Sequence, residues 1–316
     1  MRTIPQVDLA DFTSGDAQRR ANFVQKLGKA YEEVGFVTVS NHGLTEAEIA
    51  DLYKQIENFF NQPLALKERY EIKELAGQRG YTSFGREHAK HSQNPDLKEF
   101  YQWGQSVEDE DDPIRNEYPD NLLVKELPEF NVALQNAYRK FEIAGRQLLR
   151  ALALFIDLPE NYFDEKIYNG NSILRAIYYP PITQEPKSAI RAEQHEDIDL
   201  ITLLVGASAD GLEVLTTDNK WLPINAAPGE IVVNVGDMLQ RLTNNRLKST
   251  THRVVNPPRE LWHTPRFSVP FFLHPRSEMD LTCLASCIEP GSSAKFPPTT
   301  AGEYLDERLR EIGLKK

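Results

Sequence analysis

Apolar residues recur at three- and four-residue steps through the first half of the chain, then change to alternation and short apolar runs. The stretch DAQRRANFVQKLGKAYEEVG (16–35) predicts a helix, with Phe23, Leu27, Ala30 and Tyr31 on one face. Asp16 stands at its start and Gly35 at its stop. TEAEIADLYKQIENFFN (45–61) predicts a second helix, opened by Thr45 with Glu48 three residues on, the spacing of a capping box. The longest helical pattern is 126–159, where Leu134, Ala137, Tyr138, Phe141, Ala144, Leu148 and Leu152 keep the period. Between these, IPQVDL and FVTVSNHG read as extended. The segment from Gly77 to about Asp120 has weak periodicity, and VEDEDDP (107–113) within it reads as a solvated loop.

From about Ile173 the pattern is strand-like. SILRAIYYP, LITLLVGAS, GLEVLTTDNKWLPIN, GEIVVNVGDMLQRLT, LKSTTHRVVN and RFSVPFFLHP are rich in β-branched and aromatic residues and are separated by Gly, Pro, Asn and Asp. Several short strands at close spacing predict a jelly roll or barrel. AGEYLDERLREIG (301–313) closes the chain as a helix packed outside it. No internal repeat is present.

Composition narrows the class of partner. With 36 basic and 47 acidic residues in 316, the formal charge is −11, a field that repels nucleic acid and anionic membranes. The N-terminus has no secretory pattern, and no apolar run reaches bilayer length. Only Cys283 and Cys287 are present, which reads as two buried structural thiols in a reducing, cytoplasmic compartment. A monomer is the default.

Candidate chemistry begins at RAEQHEDIDLITLLVG (191–206). Residues two apart on a strand share a face, so His195 and Asp197 project together. A solvated strand end accounts for such a pair, and so does a metal site. His252, in the β-branched run KSTTHRVV, supplies a third donor and favours metal: two histidines and one carboxylate on one face leave the other positions of an octahedron open. His88 and His91, three residues apart, are poor metal evidence, and His263 reads as an exposed loop residue. Further on, Arg266 and Ser268 share a face of an otherwise apolar strand. A buried guanidinium either pairs with a protein carboxylate or awaits an anionic ligand.

In order and spacing these motifs resemble the 2-oxoglutarate/Fe(II) oxygenase superfamily, in the branch that contains isopenicillin N synthase and the plant flavonoid and hormone oxygenases. IPQVDL with YEEVGFVTVSNHG is similar to that branch's N-terminal module. YYPP (178–181), HEDIDLITLLV, the run from Gly211 to Val255 and RFSVPFF are similar to its catalytic core. The resemblance implies an α+β fold whose double-stranded β-helix (jelly-roll) core follows an N-terminal helical module and precedes a C-terminal helix. It divides the chain into an N-terminal module (1–125), a long supporting helix (126–165), the catalytic core (166–280) and a C-terminal extension (281–316). It implies Fe(II) held by His195, Asp197 and His252, with Asp199 a neighbour. It also implies 2-oxoglutarate, its far carboxylate held by Arg266, Ser268 and Tyr179, and dioxygen. The reaction implied is oxidation, by default hydroxylation, of a small-molecule substrate with release of succinate and CO2.

Two features depart from the pattern. Ile177 stands where plant members often have Asn, and the spacing from His252 to Arg266 is longer than usual, with NPPRELWHT (256–264) as an extended hairpin tip. Substrate contacts are expected from 79–104 and the strand beyond Ser268, with Tyr81, Arg86, Phe100 and Phe271 as candidates. Three other readings compete: a 2-oxoglutarate-independent oxidase like isopenicillin N synthase, a non-catalytic carboxylate sensor, and a zinc hydrolase using the same three ligands.

Overall fold

The computed structural model describes residues 4–75, 77–86, 96–186, 188–206 and 208–311. The strands are β1 (Gln6–Asp8), β2 (Phe36–Ser40), β3 (Gly80–Thr82), β4 (Glu99–Gly104), β5 (Ile173–Tyr179), β6 (Ala192–His195), β7 (Ile201–Val205), β8 (Leu212–Leu215), β9 (Trp221–Pro223), β10 (Ile231–Val235), β11 (His252–Val254) and β12 (Arg266–Leu273). The helices are α1 (Leu9–Thr13), α2 (Ala17–Glu33), α3 (Glu46–Phe60), α4 (Leu64–Lys67), α5 (Pro128–Phe155), α6 (Asp164–Ile167), α7 (Asp237–Leu242) and α8 (Ala301–Glu311). Eight strands form one sheet in the order β1-β2-β10-β7-β12-β5-β4-β3, and a second sheet runs β6-β11-β8-β9. Together they make the jelly-roll core, in which strands from the N-terminal and catalytic segments pair within one sheet.

Local signals set the helix ends where the sequence places them. The Asp16 carboxylate accepts from the Gln18 and Arg19 amides at the head of α2, and Thr45 and Glu48 close the capping box of α3. Gly35 takes φ +77, and a Cβ there would lie 2.3 Å from the Lys248 carbonyl.

The large sheet has two apolar faces. One packs on α2, α3 and α5: Leu174, Ala176, Phe267, Val269, Phe271 and Leu273 join the same core as Phe141, Leu148 and Leu152 of α5. The other looks across to the small sheet, where Phe36 and Val232 meet Val214 and Val254. Toward one side of this inner space lies a smaller cluster of Phe100, Ile177 and Tyr179.

Three segments differ from expectation. GEIVVNVGDMLQRLT is a strand only to Val235; α7 then begins, because Met238, Leu239 and Leu242 bury themselves at helical spacing. LKSTTHRVVN is extended mainly at its end, in the three residues of β11. The weakly periodic segment contains β3 and β4, and all six residues of β4 are buried. In VEDEDDP, Asp112 is the exception to solvation: it accepts from Arg276 Nη1 at 2.9 Å, Arg276 Nη2 at 3.1 Å and Asn169 Nδ2 at 3.1 Å. Cys283 and Cys287 are buried free thiols. No helix among the described residues is long and apolar enough to cross a membrane.

Candidate metal and cosubstrate site

His195 ends β6, and its register partner on β11 is His252, so the antiparallel pairing itself sets the two imidazoles side by side, ring centroids 4.4 Å apart. Asp197 lies just past the end of β6, not within it. Its Oδ1 is 3.7 Å from Nε2 of each histidine. Among the described residues this is the one group of three or more His, Cys, Asp or Glu whose donor atoms converge, all within 4.8 Å of one another.

Surrounding groups leave one donor atom free on each residue. His195 Nδ1 lies 2.7 Å from the Glu193 carbonyl and His252 Nδ1 3.2 Å from that of Thr250. A proton on Nδ1 satisfies each carbonyl and leaves the Nε2 lone pair toward the cluster. The Phe36 ring packs edge-on against His252 at 5.6 Å. Asp197 Oδ2 accepts from Thr202 Oγ1 at 2.6 Å and Asn234 Nδ2 at 2.9 Å, which aims Oδ1 at the histidines. Burial works against the Asp197 charge, but the two imidazoles and these bonds outweigh it and hold the carboxyl below its usual range. His195 is pulled down by desolvation and by the neighbouring His252, so at neutral pH it is the neutral ligand form.

Asp199 behaves oppositely. Wholly buried and next to the Asp197 charge, its carboxyl is pushed well above the usual carboxylate range. Thr202 Oγ1, with one proton, lies between the two carboxyls, 2.8 Å from Asp199 Oδ2. The Thr202 proton is drawn to the charged carboxyl, Asp197. The loop is riveted by the start of α7: Gly236, Asp237 and Met238 amides donate to the Leu200, Asp197 and Asp199 carbonyls at 3.0, 2.9 and 3.1 Å. Sequence reading missed Thr202 and Asn234, whose polar side chains in the apolar runs LITLLV and IVVNV were the available signal.

Arg266 and Ser268 also face the inner space. Arg266 and Ser268 open β12 and are 1% and 4% exposed. Arg266 Nε donates to the Ala209 carbonyl at 3.1 Å, while its Nη1 is buried without a partner. Tyr179 is its register partner on β5, the ring centroid 5.0 Å from the guanidinium carbon. The buried orphan Nη1 meets no carboxylate among the described residues, which fits an anionic ligand.

Of the substrate candidates, Phe100 lies on the inner face, with Ile177 and Tyr179 and under the Arg175 guanidinium at 4.3 Å. The other three do not. Phe271 is three residues beyond Ser268 and so faces the helices, stacked on Phe141 and edge-on to Tyr138. The residue on the site face is Phe272, 5.3 Å from Arg175. Tyr81 also faces the helices, where its hydroxyl donates to Glu99 beside Lys67. Arg86 is exposed and pairs with Glu71 at 2.6 Å. His88 and His91 lie outside the described residues. His263 is exposed, in a tip that contains a short 3₁₀ turn, Arg259–Leu261.

Comparison with known proteins agrees with this geometry. Residues 4–126 match the family described as "non-haem dioxygenase in morphine synthesis N-terminal", and residues 170–275 match the 2OG-Fe(II) oxygenase superfamily. The proline hydroxylase buaE of Petromyces alliaceus is 32% identical, with 97% of this chain and 98% of that protein covered. A Caulobacter crescentus protein described as of the 2OG-Fe(II) oxygenase family is 39% identical, with 99% and 100% covered and a TM-score of 0.88. A full-length Neurospora crassa protein, solved in complex with alpha-KG, is 27% identical, with 97% and 95% covered and a TM-score of 0.85. Sequence and fold thus agree over nearly the whole length, and the chain belongs to the 2OG-Fe(II) oxygenase superfamily as a 2-oxoglutarate-dependent dioxygenase.

Proposed function

We propose that His195, Asp197 and His252 hold the iron and that Arg266, Ser268 and Tyr179 hold the distal carboxylate of 2-oxoglutarate, for hydroxylation of a small molecule. The observation that carries the cosubstrate assignment is the buried Arg266 Nη1, unpartnered, on the strand face that also presents Ser268. When bound, iron and 2-oxoglutarate supply the oxidising chemistry: one dioxygen atom enters a substrate C–H bond, the other enters succinate, and CO2 leaves. The protein's part is to fix geometry. Thr202 and Asn234 hold Asp197 in one orientation, the Glu193 and Thr250 carbonyls fix the imidazole tautomers, and Phe100, Ile177 and Phe36 keep the inner space apolar.

The charge of −11 supports a small-molecule substrate over nucleic acid, and the two buried free thiols suit a cytoplasmic setting. We take the active species to be a monomer. The test is anaerobic titration with Fe(II) and then 2-oxoglutarate, followed by the visible charge-transfer band of the chelate. The band should be lost in His195→Ala, and in Arg266→Gln it should need about tenfold or more cosubstrate, the loss of a charge-assisted pair. Iron binding without the band would favour an oxidase that dispenses with 2-oxoglutarate; no iron binding would leave a carboxylate sensor.

A further inference from the structure

A second arginine is buried at the cosubstrate end of the inner space, and none of the roles above uses it. Arg191 immediately precedes β6, four residues before His195, and is 2% exposed. Its Nη2 donates to the Thr264 carbonyl at 3.0 Å, and its Nε is buried without a partner. The guanidinium carbon lies 5.9 Å from the Tyr179 ring centroid, the ring that Arg266 approaches to 5.0 Å. Burial, and then the charge of Arg266, pull its pKa down to about 10, so it still carries its proton at neutral pH. No carboxylate among the described residues pairs with it.

The fold keeps this cation from turning to water. The Leu97 amide donates to the Ile190 carbonyl at 3.2 Å and the Glu193 amide to Asp96 Oδ1 at 3.2 Å, so the backbone on either side of Arg191 is held. The carbonyl that holds its head belongs to the long β11–β12 connection. An unpaired buried guanidinium is unfavourable, and one beside another arginine is worse placed still.

Arg266, on the strand face that also presents Ser268, answers the distal carboxylate of 2-oxoglutarate. Lys98 is paired with Asp96 at 2.9 Å. Arg191 keeps a buried Nε without a partner and has no carboxylate beside it among the described residues.

We propose that Arg191 selects the primary substrate by pairing with its carboxylate, so that the enzyme acts on small carboxylic acids, amino acids included. This rests on the cosubstrate role assigned to Arg266. The test uses the anaerobic Fe(II)–2-oxoglutarate enzyme, whose charge-transfer band responds to a ligand arriving near the metal. The probes are matched pairs: benzoate and benzamide, phenylacetate and phenylacetamide, hexanoate and hexanamide, L-proline and L-prolinamide.

Acids should perturb the band, and in air raise succinate release, at concentrations about tenfold or more below those of their amides. Arg191→Gln should erase that preference and Arg191→Lys retain part of it. The 2-oxoglutarate affinity of Arg191→Gln should stay within about twofold of wild type, against about tenfold or more lost in Arg266→Gln. Four results overturn the assignment: amides that match acids, no acid that changes the wild-type band, a preference that survives Arg191→Gln, or loss of 2-oxoglutarate affinity in Arg191→Gln equal to that in Arg266→Gln. The last would make Arg191 a second clamp on the cosubstrate. A wild-type enzyme that forms no band overturns the cosubstrate role of Arg266 and this inference with it. The wild-type comparison of acids with amides decides the matter even where a variant fails to fold.

Discussion

Gly236 is the position at which the least atomic change should do the most to the metal site. Its backbone is ordinary, φ −92 and ψ 170, so alanine there carries no conformational penalty and any effect is steric. A Cβ would lie 2.0 Å from Asp199 Oδ1, 2.3 Å from the Asp199 carbonyl oxygen and 2.7 Å from its carbon. Two of these atoms are backbone and cannot rotate away, so to restore ordinary contact the Asp197–Leu200 loop must retreat by about 1 Å. That movement overpacks the loop and weakens one or two of the bonds from the Gly236, Asp237 and Met238 amides, a loss of about 2–4 kcal/mol of stability. It also carries Asp197 with it, and since coordination distances tolerate only about 0.2 Å, Gly236→Ala should weaken metal affinity by about 10–100-fold. Anaerobic calorimetry with Fe(II), or Mn(II) as a redox-stable probe, measures the affinity, and urea unfolding of the apo-protein measures the stability. Gly206→Ala is the control: its Cβ would meet nothing closer than 3.7 Å, and it should change stability by no more than about 0.5 kcal/mol. A Gly236→Ala protein with wild-type metal affinity and wild-type stability would refute the view that α7 positions the ligand loop.

Two further outcomes follow from placements that the sequence alone misjudged. Phe271→Ala should cost about 3–5 kcal/mol in urea unfolding, because the ring is wholly buried between Tyr138 and Phe141, yet leave 2-oxoglutarate affinity unchanged; a folded, fully stable variant with altered substrate response would restore Phe271 to the site. Asp112 is held well below the usual carboxylate range by the Arg276 fork and by Asn169. Its folded pKa is the depressed one, so its contribution is present above the unfolded value near 4 and is lost as pH falls through the folded value. Asp112→Asn should therefore be less stable at neutral pH and show a shallower loss of stability on acidification below about pH 4, read by thermal melts across that range; an unchanged acid limb would mean the pair is inert.

What could be read from the chain alone was what depends on neighbours in sequence. Asp16, Thr45 and Glu48 cap helices through bonds to residues two or three away, and the periodic faces of α2, α3 and α5 repeat locally, so those elements stood out. β4 did not, because both of its faces are buried: Glu99 is neutralised by Lys67 on one side and Gln102 meets Arg175 on the other, leaving no alternation to detect. The error at Phe271 was one of parity. Three residues from Ser268 is an odd step and lands on the helix face; counting in twos would have chosen Phe272.

The site divides along the same line. His195 and Asp197 were visible as a pair because two-residue spacing sets them close, and His252 because it stands in the β-branched run KSTTHRVV, a choice to which the resemblance then added. Which carboxylate of HEDID is the charged donor was not settled by spacing, since Asp197 and Asp199 both follow His195 by an even step. The structure decides it with residues from two other strands: Thr202 on β7 and Asn234 on β10 both donate to Asp197 Oδ2, whereas Asp199 Oδ1 is buried with no donor at all. Hydrogen bonds and the two imidazoles hold the Asp197 carboxyl down, whereas burial and the Asp197 charge push that of Asp199 up. Arg191 extends the argument to a cation. Nothing in RAEQHED indicates that its guanidinium lacks a counter-charge; that follows only once β6, the Thr264 carbonyl and the Tyr179 ring close around it, and the same closure leaves an anion as the one ligand that would relieve it.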